Sequence, residues 1–254
     1  MVDPTNFSKK PNAMRSLKLT VLSILMLFGA QANGQDFGLS FSYFIPKNGY
    51  FSTPISPFSI RGIGVDLTNF LALETGASLY RMSGLQVKDL PFESKDPFVG
   101  PNFTIFVPVE LVIQLKGQAV QFDIKGGGFF FYGFDQKINY GNLDRAIAEH
   151  EGWSVANSNF DFENKPGFGY HTGVELTIYL PSQLGISIEC NYLIGESKLP
   201  LTGSYQGGVT DINEVSAAYP DAKIDLTGLE FSIGIIMSSN GGGGGPKKPK
   251  RRKR

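Results

Sequence analysis

The chain has 254 residues, 41% of them apolar and 18% charged, with 31 glycines, two histidines, one cysteine and equal numbers of basic and acidic side chains. That is enough for one large domain or two small ones, too apolar for a disordered chain, and a lone Cys190 excludes an internal disulfide, a CxxC redox pair and a cysteine zinc cluster. No Walker loop, dinucleotide-binding glycine fingerprint or HExxH occurs, so neither a cofactor nor a metal is expected.

Residues 1–35 read as an export leader. Arg15 and Lys18 form a positive region, residues 19–30 (LTVLSILMLFGA) an apolar stretch, and Ala30-Gln31-Ala32 a small-x-small cleavage site. The apolar stretch falls short of the ~20 residues of a spanning helix. Met14, which opens the more usual MRSLK, is the expected start.

Eight segments of apolar alternation follow, and a period of two gives a strand one greasy face. The first three are residues 37–45, 58–67 and 70–82. In the second, Ile63, Val65 and Leu67 oppose Gly62, Gly64 and Asp66; in the third, Leu71, Leu73 and Leu79 oppose Glu74, Gly76 and Ser78. Residues 103–115 carry an apolar side chain at every odd position. In residues 120–134 the apolar set lies opposite Gln121, Asp123 and Lys125; in 168–180, opposite His171, Glu175 and Thr177; in 184–194, opposite Ser187, Glu189 and Asn191. The last segment, 224–237, sets Leu229, Phe231, Ile233, Ile235 and Met237 against Glu230, Ser232 and Gly234, and its change of parity between Leu226 and Leu229 predicts a bulge.

The connections alternate without exception. Those after the second, fourth and sixth segments are tight, whereas residues 46–57, 84–101, 135–167 and 197–223 are long. Within these, residues 142–153 are expected to form one or two helical turns and 211–219 another short helix. An all-β, eight-stranded antiparallel up-and-down transmembrane β-barrel places short periplasmic turns at one end and long extracellular loops at the other. A soluble lipocalin-like barrel shares the strand count with the opposite polarity. The long apolar faces, the acids and glycines opposite them, and aromatics near strand ends favour the membrane form. The expected aromatic girdle comprises Tyr43, Tyr50, Phe51, Tyr80, Phe103, Tyr132, Phe134, Phe168, Tyr170 and Tyr179.

Segments such as FVPVELVIQLKGQAVQFDIKGGGFFFYGF and GYHTGVELTIYLPSQLGISIECNYLIGE, after a leader ending GAQANGQ, resemble the small outer-membrane β-barrel proteins common in Bacteroidota and the wider eight-stranded group. The resemblance covers residues 35–237 and implies a monomeric barrel among outer-membrane lipids. Such barrels often end on an aromatic residue of the last strand; this chain runs on into glycines and a basic tail. The expected division is a leader (1–35), a barrel (36–238) and a linker with tail (239–254).

The inferred lumen holds Asp66, Glu74, Glu110, Asp123, Glu175, Glu189 and Glu230, with Lys125 and His171 as the evident counter-charges. A polar plug is the expected use of this cluster, with a cation or proton site as the alternative, inward glycines leaving room for water and no useful pore. Lipid A- or phospholipid-modifying enzymes exist on such barrels, but His171 and Glu175, four apart on a strand, are separated by ~13 Å, too far for a triad bond. No catalytic residue is assigned, and His150 in the Glu149-His150-Glu151 run is a weak metal candidate.

Lys247, Lys248, Lys250, Arg251, Arg252, Lys253 and Arg254 form the tail, beyond the run 241–245 of five glycines. They are seven of the 23 basic residues and the leader holds four more (Lys9, Lys10, Arg15 and Lys18), so residues 36–240 keep 12 against 22 acids. An exported protein meets no nucleic acid, so the tail is expected either to contact an anionic leaflet, peptidoglycan or an envelope protein complex, or to be a disordered appendage without a specific role. A structural, recognition or envelope-assembly role, with binding through the long loops, is the functional expectation.

Overall fold

A computed structural model describes residues 37–50, 59–181 and 184–237. The leader and the basic tail lie outside the described residues, as does Phe51. Strands β1 (Phe37–Pro46), β2 (Gly49–Tyr50), β3 (Ser59–Asp66), β4 (Leu71–Met82), β5 (Gly84–Leu85), β6 (Val87–Lys88), β7 (Asn102–Lys116) and β8 (Val120–Phe134) come first. Helix α1 (Tyr140–Glu151) precedes β9 (Val155–Phe162), β10 (Gly167–Tyr179), β11 (Leu184–Lys198), β12 (Leu201–Gly208), β13 (Asn213–Tyr219), β14 (Lys223–Asp225) and β15 (Gly228–Met237).

Eight of these strands close a barrel in the order β1-β3-β4-β7-β8-β10-β11-β15. Each pairs antiparallel with its neighbours, and β15 returns to β1 over ten residue pairs, from Phe37 opposite Met237 to Pro46 opposite Gly228. Closure leaves the barrel without a free edge. The tight turns after β3, β7 and β10 and the ends Phe37 and Met237 share one rim, the turn end. All long connections gather at the other, the loop end.

Polarity is inverted relative to a soluble barrel. On β7 Val109 is 54% and Leu111 47% exposed, while the intervening Glu110 is 3% exposed. The same alternation runs through β8, β10, β11 and β15, so outward positions are apolar and the lumen is lined by polar groups over much of its length.

Two strands depart from the sequence reading. In β3, Arg61 and Gly62 stand opposite Gly76 alone: Ile60 pairs with Ala77, but Ile63 pairs with Thr75. This bulge needs Gly62, whose φ is +74°. It also needs Gly76, because a Cβ there would overlap the carbonyl oxygen of Ile60. The extra residue switches the face, so Arg61 points inward even though Ile63 and Val65 occupy the outward face two and four residues later. Extrapolating the parity of Ile63, Val65 and Leu67 puts Arg61 outside, which is why it is missing from the expected counter-charges.

The bulge expected between Leu226 and Leu229 is absent. Glu196 faces Asp225 and Leu193 faces Gly228 in one unbroken register against β11. Ile224 and Leu226 are on the same inward parity as Glu230; what changes is the lumen, which turns apolar toward the loop end.

That apolar upper layer comprises Phe44, Met82, Phe106, Phe129, Phe131 and Leu193, all buried. The Phe106 and Phe129 rings lie 4.7 Å apart. Its cluster continues without a break into a folded cap above the rim, through Leu85, Phe92, Phe98, Leu143, Ile147, Phe160, Leu199 and Ile224. Each fully buried aromatic or aliphatic side chain contributes about 1.5 to 3 kcal/mol, so cap and barrel share one core.

The cap's helix α1 buries Leu143, Ala146 and Ile147, the i, i+3, i+4 pattern of one helix face. The Asn139 side chain caps its start by accepting from the Asn142 N–H, and Gly152 ends it at φ +71°. It starts two residues earlier than expected and makes more than three turns. The short helix expected over 211–219 is instead strand β13, which pairs with β12, itself paired with β9. Val215, Ala217 and Tyr219 pack toward the cap core while Glu214, Ser216 and Ala218 face out, a period of two that the Ala- and Glu-bearing composition conceals.

Candidate functional site

Below the aromatic layer the lumen gathers a charged cluster, and the strand register explains its tension. Glu175 on β10 sits between Asp123 on β8 and Glu189 on β11, and Glu74 on β4 faces Glu110 on β7. Like charges placed opposite each other repel, and buried carboxylates need partners. Lys125, on β8, supplies the first. Its Nζ contacts Glu175 and lies 3.5 Å from Glu189, 3.8 Å from Glu110 and 3.9 Å from Glu74.

Arg61 supplies the second cation. Its guanidinium is 2.5 Å from Glu230, 3.8 Å from Glu110 and 3.9 Å from Glu189. Tyr80 donates its hydroxyl to the same Glu230 oxygen, and Asn191 donates to Glu230 (2.7 Å) and Glu189 (2.9 Å). His171 Nε2 is 3.0 Å from Glu110, with its ring beside Phe106 and Phe129. On the adjoining wall Ser78, Ser59, Ser42 and Ser232 form a hydroxyl belt across β4, β3, β1 and β15, with spacings of 2.9, 2.8 and 2.6 Å.

The lumen thus brings together Glu74, Glu110, Asp123, Lys125, His171, Glu175, Glu189 and Glu230. Asp66 is not among them. It occupies the last position of β3 at the turn-end rim, with its side chain 53% exposed and 4.0 Å from Lys116. Arg61, Tyr80 and Asn191 join the cluster instead. Tyr80 leaves the expected outer girdle because even positions of β4 face inward; Tyr43, Tyr132, Phe134, Phe168 and Tyr170 are outward and exposed. At Gly173 the space is filled: a Cβ there would overlap the Asn191 amide.

The chemistry of this arrangement is electrostatic. His171 makes its side-chain hydrogen bond to Glu110, and among the described residues no group of three His, Cys, Asp or Glu side chains is placed to hold a metal ion. His150 lies on α1 with its ring edge-on to Phe92, 6.2 Å away.

At the loop end a second charged group ties the cap together. Lys88 Nζ is 3.0 Å from Asp225 and 3.5 Å from Glu196, and Lys223 Nζ is 3.0 Å from Asp89 and 3.6 Å from Glu196. Partial burial opposes the Lys88 charge, but the hydrogen bond to Asp225 and the charges of Asp225 and Glu196 outweigh it, holding this ammonium above its ordinary value. Burial, with a hydrogen bond to Glu151, pushes the Tyr205 hydroxyl upward as well.

No protein-family model and no curated protein sequence matches the chain. Among solved structures, the outer membrane protein OprG from Pseudomonas aeruginosa is similar over 80% of this chain and 94% of its own, at 12% identity and a TM-score of 0.42. Ail, the attachment invasion locus protein of Yersinia pestis, is similar over 80% and 95% at 9% identity and a TM-score of 0.35. A major outer membrane protein from Thermus thermophilus covers 80% and 98% at 13% identity, also with a TM-score of 0.35.

Proposed function

We propose that this protein is an integral outer-membrane barrel with a recognition or envelope-assembly role, presenting its packed cap on the extracellular side. The observation that carries this reading is the inverted polarity. Leu39, Leu73, Val109, Ile124, Leu176, Ile188 and Ile235, one from each of seven strands, are all exposed, whereas Glu110, Glu189 and Glu230 are buried. Soluble monomers rarely expose a contiguous apolar patch beyond a few hundred Å², and a belt around a barrel matches a hydrocarbon layer. The outward aromatics suit its interfaces.

Recognition is favoured over conduction because the lumen ends in the Phe44, Phe106, Phe129 and Phe131 layer, which merges with the cap core. A cap with its own helix and three-stranded sheet, packed on a core it shares with the barrel, is a rigid surface, and rigidly held loops are where binding residues concentrate. Its exposed tip carries Val209 and Ile212, 70% and 80% exposed between β12 and β13. The test is extraction from native envelopes in mild detergent, with identification of co-purifying components. The wild type is expected to retain a component that is lost when residues 209–212 are replaced by a Gly-Ser turn. Equal recovery with both chains contradicts binding at this tip.

A further inference from the structure

The polar part of the lumen is over-supplied with negative charge. Six carboxylates (Glu74, Glu110, Asp123, Glu175, Glu189 and Glu230) face two permanent cations, Arg61 and Lys125. The compensation is uneven: Glu230 has Arg61 at 2.5 Å, but Glu74 has Lys125 only at 3.9 Å, and Asp123, whose two oxygens share the one neutral Gln121 amide donor at 3.0 and 2.9 Å, is in none of the lumen ion pairs. These two acids are also nearest the turn end. Asp123 is the fourth residue of β8, about 10 Å from the strand's start, and the Glu74 side chain keeps 15% exposure.

A second, independent feature points to a cationic donor at the same place. Gln114, 8% exposed and directly opposite Asp123, donates weakly to Glu74 at 3.5 Å while its buried carbonyl oxygen has no partner. The mouth therefore offers acceptors (the Glu74 and Asp123 carboxylates and the Gln114 carbonyl) in excess of donors. An ammonium or guanidinium group has the complementary character, since it supplies several N–H donors and positive charge together.

We propose that the occupant is the chain's own basic tail, with Lys and Arg side chains of residues 247–254 docking at the turn-end mouth onto Glu74, Asp123 and Gln114. The tail leaves from the same rim, because β15 ends there at Met237. Nine residues, five of them glycines, lie between Met237 and Lys247, ten chain steps in all. A glycine-rich coil of that length has an r.m.s. span of about 16 to 19 Å. Asp123 lies three strands around the barrel from β15, about 14 Å at ~4.8 Å per strand, and about 10 Å deep. The span matches the distance, which maximises the effective concentration of the tethered charges.

The test is limited trypsin digestion of the full chain folded in neutral detergent micelles, which contain neither anionic lipid nor peptidoglycan. Cleavage within residues 247–254 is followed by mass spectrometry in the wild type and in the Glu74→Gln/Asp123→Asn double variant. Docking makes tail cleavage in the wild type about tenfold slower than in the double variant, as for a docked-to-free ratio of about ten. Salt at about 1 M, where the screening length falls to about 3 Å, brings the wild type to the rate of the double variant. The salt arm uses the wild type alone, so it reads the proposal even if the double variant does not fold. Equal cleavage in both chains, or no effect of salt on the wild type, overturns it. Protection that arises only when anionic vesicles or peptidoglycan are added, and is unchanged in the double variant, also overturns it and assigns the tail to an outside partner.

Discussion

Arg61 on β3 reaches past β1 to Glu230 on β15, placing its Nη2 2.5 Å from the carboxylate, and this buried pair joins the first and last parts of the barrel. Removing one member of a buried ion pair costs about 3 to 5 kcal/mol, largely because the other charge is stranded. Arg61→Ala is therefore expected to lower the unfolding free energy of the barrel in micelles, read from urea titration, by that order. Adding Glu230→Gln should recover part of the loss, since the stranded charge is then gone.

Lys125 has a heavier task, with four carboxylates within 4.0 Å. Lys125→Met leaves them facing one another, and the expected loss is again several kcal/mol. The sign with pH is definite: protonating carboxylates at acid pH relieves the repulsion. The deficit of Lys125→Met relative to wild type should thus shrink from pH 8 to pH 4, as measured by urea unfolding at each pH.

The cap should respond to alkali through Lys88. Its ammonium is held above the ordinary lysine value, so the folded cap binds this proton more tightly than the unfolded chain does. The stabilisation is fully present below about pH 10.4, the unfolded value, and declines as pH rises through the higher folded one. Amide exchange of β6 and β14, corrected for its intrinsic pH dependence, should show protection falling in that window, and Lys88→Met should flatten the fall.

The upper lumen distinguishes neighbouring phenylalanines. Phe129 is 3% exposed within the aromatic layer, whereas Phe130 faces outward. Phe129→Ala opens a cavity and is expected to cost about 3 to 5 kcal/mol, while Phe130→Ala should cost distinctly less. Thermal unfolding in micelles of both variants measures the difference.

How much of this was legible in the sequence depends on whether a residue obeys the local period. Strands β7, β8, β10 and β11 alternate cleanly, so their inward acids and Lys125 could be assigned by counting. Arg61 could not, because the bulge at Gly62 reverses the face and the period of two alone does not show where an extra residue enters. The Arg61-Gly62-Ile63-Gly64 run held the signal, in that glycine permits the left-handed conformation the bulge adopts. Ile224 and Leu226 misled in the other direction. Their parity reads locally as a register change, but the lumen becomes apolar where the cap sits on it, a long-range packing effect with no local signature. Asp66 alternates correctly and still misses the cluster, because a strand's last residue emerges at the rim.

The direction in which the apolar faces point underlies all of these relationships, and site-specific quenching measures it most directly. In a Cys190→Ser background, Leu111→Cys and Glu189→Cys are labelled with an environment-sensitive fluorophore and folded into vesicles containing bromine-labelled acyl chains. The outward orientation predicts strong quenching at position 111 and little at position 189. Strong quenching at 189 with none at 111, or a purified protein that stays dissolved without detergent, would contradict it.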